Sequence, residues 1–378
     1  MHYFLYPTKD TYLTNDPAHI NKNVGLDEIL QIDKVMSDGG CASISGSLSS
    51  ILSRALLQFD LTDVSQSISA GNIVSASFFL NLKVCHSDQL AVSYDLVAYP
   101  VYQSWVMGTG YKYDGATSYD GATWKFRDVG QNMWCSGSAT DCTGGGTWLL
   151  TTGSISSGST VMVPGGLGAS QSFSYQSSDV KMDVTQIVNG WLYQGVPNNG
   201  LIIMQSDQSS SIDYGSLKFF SKETNSVYSP YLDVCWDESV FSTGSADEID
   251  ISDAVVNIKN MASEYKYGSV IRFNVTPRQR YAIKTFTNDF AASSRTSDYL
   301  APYYLPQSSY YSIKDAESEM EIIPYDDYTK LSLDGRGNYF MLDTTGLPQE
   351  RYFKVEIRCE QSGSILTYQV PTTFKISR

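Results

Sequence analysis

The chain has 378 residues, of which 42% are hydrophobic and 17% charged, and a net charge of −14. That length suits two domains, and the hydrophobic share excludes a disordered chain. The excess of acid excludes a nucleic-acid surface, which needs lysine and arginine to displace counterions, and an anionic membrane surface.

No segment approaches the roughly 18–20 apolar residues of a membrane span. The opening, MHYFLYPTKD, lacks the basic and apolar regions of a secretory signal, so the chain is expected to be made and used without N-terminal processing. Six cysteines, Cys41, Cys85, Cys135, Cys142, Cys235 and Cys359, contain no CxxC pair. Cys135 and Cys142 could staple one Gly-rich loop. Free thiols are the other reading, and the scattered spacing favours it.

Residues 3–15 form a short extended run that ends at the turn signal Asn15-Asp16-Pro17. Asn23–Ile32 enters a short strand through a glycine turn, and Ser37–Ser50 is a Gly/Ser-rich loop. Leu52–Leu61 carries the densest strand signal. Ala55, Leu57, Phe59 and Leu61 fall on one face and Arg54, Gln58 and Asp60 on the other, with Leu56 as the exception. Arg54, a charge beside an apolar face, needs a carboxylate partner or a route to water.

Ser75–Val84 alternates in the same way, and Val92–Val101 is expected as its antiparallel neighbour. Gly108–Gly146 holds no long periodic run and is a large loop, with a tandem repeat of Tyr-Asp-Gly-Ala-Thr at Tyr113 and Tyr119. Val180–Val184 alternates, Ile187–Tyr193 is a short helix, and Leu201–Met204 is a strand covered on both faces. Leu217–Phe220 and Leu232–Trp236 are further strands.

The acidic, polar stretch 238–253 is a linker, dividing a domain of residues 1–237 from one of residues 254–378. Beyond it, strands are expected at Val270–Val275, Tyr281–Phe286, Glu319–Ile323, Tyr339–Leu342, Phe353–Cys359 and Phe374–Ile376. Ala291–Ser312 is a long irregular loop. Short strands at this density suggest a smaller, immunoglobulin-like β-sandwich. No helix of four turns is expected, and the fold class is all-β.

Several segments of the first domain, taken in order, resemble DNRLRE-type jelly-roll domains, relatives of which are carbohydrate-binding modules and surface-protein domains. They are Thr8–Tyr12; Asn23-Val24-Gly25 with Leu30-Gln31-Ile32; Ser53–Leu61; and Val74–Leu80. Asp120–Trp124 with Trp134, Asp183-Val184-Thr185 with Trp191, Asn199–Ile203, Phe219–Glu223 and Pro230–Val234 complete the set. The resemblance covers residues 3–237 and implies an antiparallel β-jelly-roll sandwich. The pairing with a C-terminal β domain looks like tailed-phage virion proteins, which reuse such modules in necks, tails, fibres or capsid decorations. The insertions at Ser37–Ser50 and Cys135–Gly146 depart from a sugar-binding module.

Catalytic patterns are sparse. The three histidines, His2, His19 and His86, match no Ser-His-Asp elbow and no zinc spacing. The acidic groups Asp326-Asp327, Glu317/Glu319/Glu321 and Asp247/Glu248/Asp250 read as solvated faces, so no enzyme activity and no cofactor is expected. Asp114 and Asp120 could ligate calcium, although a pair of Asp-Gly turns is the favoured reading. Trp105, Tyr111, Tyr113, Tyr119, Trp124, Trp134 and Trp148 cluster around the long loop. Tyr111, Tyr113 and Tyr119 are expected at the surface. Trp105, Trp124 and Trp134 cap the core, while Trp124 and Trp134 also count with the three tyrosines as candidate contacts for a ligand or partner.

The expected function is that of a structural component of a virus particle, of tailed-phage type, acting through protein–protein contacts with other virion proteins and copies of itself. The alternative is a carbohydrate-binding adhesion module for host or surface glycans. A polysaccharide-degrading enzyme stands third. The expected location is the virion, after synthesis in the host cytoplasm.

Overall fold

The computed structural model describes residues 1–36, 50–113, 120–135, 142, 144–149, 167–174, 178–244, 246–281 and 303–378. Strand accounts for 49% of the chain and helix for 7%, so the protein is all-β, built of curled antiparallel sheets. No helix among the described residues is long and apolar enough to cross a membrane. The chain divides into two compact units, one of Leu5–Val234 and one of Met1–Phe4 with Cys235–Arg378.

The larger unit is organised around the strand Ser50–Phe59. It pairs antiparallel with Pro7–Thr14, placing Asp10 opposite Leu57 and Tyr12 opposite Ala55. It also pairs with Leu201–Gln205, placing Leu201 opposite Leu57. The sheet runs in the order Ala169–Ser174, Ser93–Pro100, Leu201–Gln205, Ser50–Phe59, Ile29–Met36, Gly215–Phe220, Val84–Asp88. Gly200 (φ +91°) lets the chain pass close to this strand, because a Cβ there would lie 2.2 Å from the Leu57 carbonyl oxygen.

The alternation in Ser50–Phe59 predicts one wet face, but the strand is buried on both sides from Ser53 to Leu57. The second face has its own core. Leu56, Leu13, Val101, Trp105, Ala122, Trp134, Ile202 and Met204 form one buried cluster, flanked by Trp124 and Trp148. Leu56 is thus a fully buried apolar residue on the even-numbered face because that face too is covered by indoles.

Neighbours in sequence do not pair as expected. Ser93–Pro100 bonds to Ala169–Ser174 and to Leu201–Gln205. Ser77–Leu82 pairs instead with Val180–Asp183 in a second sheet. A helix not read from the sequence, Thr62–Ser69, follows the organising strand and buries only Val64. The helix Thr185–Tyr193 buries Ile187, Val188 and Trp191.

In the smaller unit, one sheet runs Ala254–Lys259, Val270–Gln279, Gly337–Asp343, Ser332–Asp334. The other runs Glu264–Lys266, Ser364–Ser377, Tyr352–Gln361, Ser309–Asp315, Glu321–Ile323, with Glu264–Lys266 parallel to its neighbour. Ring contacts join the two sheets. Tyr311 stacks on Phe340 at 4.1 Å, and Phe273 meets Phe374 at 5.5 Å. Each ring sits on an inward position of its strand, so the period-2 pattern of the sequence becomes an aromatic core. Ser309–Asp315 begins inside the segment expected as loop, and Ser364–Ser377 extends well beyond the expected Phe374–Ile376. The expected strand Tyr281–Phe286 lies outside the described residues apart from Tyr281. Within 238–253, read as a linker, lie the short strand Asp247–Glu248 and a 3₁₀ turn at Ile251–Asp253.

Candidate functional site

The larger unit carries a polar cavity of about 180 Å³, lined by Tyr12, Thr14, Asp16, His19, Gln31, Asp33, Val35, Ile51, Lys112 and Ser216. That is room for on the order of six waters at ~30 Å³ each. Alternation explains the lining: Tyr12 and Thr14 share one face of Pro7–Thr14, and Gln31, Asp33 and Val35 share one face of Ile29–Met36. Ser216 stands directly opposite Asp33 in the ladder.

One oxygen of Asp33 is well served. Oδ2 accepts from Ser53 Oγ at 2.7 Å and from Gln31 Nε2 at 2.6 Å. Lys112 Nζ donates to Gln31 Oε1 at 2.8 Å, tying the rim to the floor. Beside it, His19 Nδ1 lies 2.6 Å from Asp16 Oδ2. Three other polar atoms are buried with no hydrogen-bond partner, namely Tyr12 OH, Asp33 Oδ1 and Ser216 Oγ. The Ser216 hydroxyl nonetheless lies close enough to Asp33 to lower the carboxyl's pKa.

Burial pushes the Asp33 carboxyl up, against the neighbouring Ser216 hydroxyl and the donors Ser53 and Gln31. Burial likewise drives the Tyr12 phenol upward, with Asp27 and Asp33 adding to it. Asp16 goes the other way: burial would raise it, but the hydrogen bonds from His19 and the Ala18 amide outweigh that and hold it low. Three residues of the lining thus carry a buried donor or acceptor without a partner, and the rim carries a paired charge. A ligand carrying hydroxyls matches that set, since each hydroxyl both donates and accepts.

Further along the same strand, Asp10 is 1% exposed and accepts the Lys222 amide at 2.7 Å. Burial pushes its carboxyl up to about 7, the Lys222 amide and charge pulling against it.

The residues singled out in the sequence separate. Tyr113 is 86% exposed and lies next to the cavity, its ring centroid 5.8 Å from Lys112 Nζ. Tyr111 is also exposed. Trp134 is fully enclosed, with Nε1 donating to the Thr123 carbonyl at 3.0 Å, so it presents no face to a partner. Trp124 is half-buried and, with Trp148, brackets Arg54, whose guanidinium lies 4.8 and 4.9 Å from the two ring centroids. Asp120 accepts from the Thr109 hydroxyl at 3.0 Å. Tyr119 and Asp114 lie outside the described residues.

Arg54 is 8% exposed and has no carboxylate partner among the described residues. It donates to the Gly145 carbonyl and, at 2.6 Å, to Gln208 Oε1. Burial lowers its pKa to about 10. Gly144, Gly145 and Gly146 all have positive φ, and a Cβ on Gly145 would lie 2.5 Å from Arg54 Nη1. Cys135 and Cys142 are disulfide-bonded, so the loop is stapled and the free-thiol reading fails for this pair. The bridge ties Cys135, two residues past the strand Asn132–Met133, to Cys142, two residues before the glycine run. Cys85, Cys235 and Cys359 form no disulfide.

In the smaller unit His2 Nδ1 lies 3.3 Å from Cys235 Sγ, and His2 Nε2 lies 3.2 Å from Asp326 Oδ2. The order is that of a thiol–imidazole–carboxylate relay, but Cys235 is 1% exposed, which closes the sulfur to a substrate. Asp326 also caps the 3₁₀ turn Asp327–Thr329. His86 is exposed on the edge strand Val84–Asp88.

No family model matches the chain, and no curated protein does. Among solved structures it is similar to a DUF4785 family protein from Legionella pneumophila at 10% identity and a TM-score of 0.18, covering 100% of this chain and 65% of that one. A "putative beta-galactosidase" from Bacteroides fragilis stands at 10% identity and a TM-score of 0.18, with 97% and 40% covered. The chain thus spans less than two thirds of either protein's length. Likeness at these scores carries no argument about fold detail or activity.

Proposed function

We propose that the unit Leu5–Val234 is a jelly-roll carbohydrate-binding module that takes one sugar residue of a surface glycan in the polar cavity, without chemistry on it. The observation that carries this reading is the set of three unpartnered buried polar atoms, Tyr12 OH, Asp33 Oδ1 and Ser216 Oγ, on three residues that line one cavity. Leaving such atoms unpaired costs stability, and a binding site is where a fold tolerates that cost. Exposed Tyr113 beside Lys112 supplies an aromatic face at the edge. A glycan array probed with the wild type and with Lys112→Ala tests it. Binding to a restricted set of glycans, weakened in the variant, is the expected result. A blank array, or one that the variant leaves unchanged, would remove this reading.

A second reading is favoured by a separate observation. Val74, Val92, Tyr193 and Ile365 are each more than 60% exposed, and Leu366 follows Ile365 at the turn end of a long hairpin. Apolar side chains held out at loops, a helix end and a hairpin tip suit protein–protein contacts in an assembly. In that reading the chain is a structural component of a virus particle, of tailed-phage type, with an immunoglobulin-like C-terminal sandwich. Mass spectrometry of purified particles would find it in stoichiometric amount. Absence from particles of a phage that encodes it would end that reading.

A further inference from the structure

A buried cluster of metal-ligating side chains shares no residue with the polar cavity. His2 Nδ1 stands 3.3 Å from Cys235 Sγ, and the two residues are 233 positions apart, so no spacing in the sequence announces them. Asp233 precedes Cys235 by two positions on the strand Tyr231–Cys235 and therefore shares its face. One ligand atom from each of His2, Asp233 and Cys235 lies within 4.8 Å of the other two. None of the three residues is more than 3% exposed.

The imidazole is held in one orientation. Its Nε2 lies 3.3 and 3.2 Å from the two oxygens of Asp326. Asp326 is held in turn, since its carboxylate accepts the Tyr328 amide at 2.9 Å in capping the turn Asp327–Thr329. An acceptor at Nε2 keeps the ring proton there and leaves the lone pair of Nδ1 facing the sulfur. A carboxylate behind a ligating histidine orients the ring and raises its basicity in the same way at metal centres.

We infer that His2, Asp233 and Cys235 bind one divalent ion of the zinc class, with Asp326 orienting His2 from behind. The donor set selects the ion. Calcium and magnesium take oxygen ligands, whereas a thiolate beside an imidazole suits zinc. Thiolate and carboxylate together balance the ion's two charges, as a site closed to water requires. Zinc–nitrogen and zinc–sulfur bonds of about 2.0 and 2.3 Å at the tetrahedral angle put the two ligand atoms about 3.5 Å apart. The 3.3 Å between His2 and Cys235 is close to that separation. The second oxygen of Asp233 can take the fourth position. Burial this deep marks a structural centre, loaded as the chain folds, rather than a catalytic one, which keeps a position open to substrate.

The full chain is produced in minimal medium supplied with cobalt(II), a spectroscopic substitute for zinc, so that the ion is present while the site folds. The desalted protein is expected to hold about one cobalt per chain and to show a thiolate-to-cobalt charge-transfer band. Cys235→Ser abolishes that band, and Asp326→Asn weakens cobalt binding about tenfold in competition with a chelator. Cys85→Ser and Cys359→Ser, at the other described cysteines that form no disulfide, leave the band unchanged. Protein without the band overturns the site, as does a band that survives Cys235→Ser. An Asp326→Asn protein that holds cobalt like the wild type overturns the part given to Asp326. If Cys235→Ser does not fold, X-ray absorption at the zinc edge of the wild-type protein decides. A sulfur neighbour at about 2.3 Å supports the site, and a shell of nitrogen and oxygen alone overturns it.

Discussion

Removing the Tyr12 hydroxyl separates function from stability at the polar cavity. A buried tyrosine whose hydroxyl is bonded loses about 1 kcal/mol when changed to phenylalanine, the net value of one hydrogen bond. Tyr12 is 2% exposed and its hydroxyl has no partner, so there is no such bond to lose. The unsatisfied hydroxyl itself costs about 1–3 kcal/mol. Tyr12→Phe returns part of that, less the contacts of one oxygen atom. The expected change is therefore between zero and about 1 kcal/mol of added stability, with glycan binding weakened in the same variant. Urea unfolding followed by tryptophan emission reads the first quantity and titration with an array-selected glycan the second. A Tyr12→Phe protein destabilised by more than about 1 kcal/mol would mean that the hydroxyl is bonded in the free protein, and the reasoning about unpartnered atoms would fail.

Three other outcomes follow from the same geometry. Asp10, raised to about 7 from 3.8, binds its proton more tightly folded than unfolded, so its contribution is full below pH ~4 and is lost as pH rises through ~7, on the order of 4 kcal/mol at most. Asp10→Asn should flatten the decline in unfolding free energy between those pH values, and parallel pH curves for the two proteins would refute the assignment. Arg54→Lys should lower stability by about 1–3 kcal/mol, because an ammonium cannot stack between Trp124 and Trp148 while reaching both Gly145 and Gln208; the urea midpoint measures it. Cys142→Ser opens a bridge spanning seven residues and should cost about 2 kcal/mol on loop entropy, with faster amide exchange at Gly145 and Trp148 than at Trp105.

Elements whose burial alternates were legible in the sequence. Ser77–Leu82 and Tyr352–Gln361 show the two-faced pattern and adopt it. Elements with little to bury were not. Ala169–Ser174 buries only Phe173 among its serines, and Thr62–Ser69 buries only Val64, so neither leaves a periodic signal. Pairing was legible only in part, because Ser93–Pro100 finds its partners far along the chain rather than in the preceding strand.

The organising strand shows the limit most clearly. Arg54 reads as an outward charge, yet it is buried beneath two indoles supplied by residues 70 and 94 positions away. The single warning was Leu56, an apolar residue on the face assigned to water. The cavity was hidden for the related reason that an inward polar residue has the same spacing as an outward one. Gln31 and Asp33 alternate with buried Leu30 and Ile32 just as solvent-facing residues would. Tyr113 was legible as exposed because it sits in a turn-rich repeat, but its position beside Lys112 was not.

The central claim, that the cavity between Tyr12, Asp33 and Ser216 receives a sugar, is tested most directly by the electron density of a crystal soaked in an array-selected glycan. The account predicts one ring in that cavity, with its hydroxyls within hydrogen-bond distance of Asp33 Oδ1 and Tyr12 OH. Density for the glycan elsewhere on the unit, with this cavity unchanged, would contradict it.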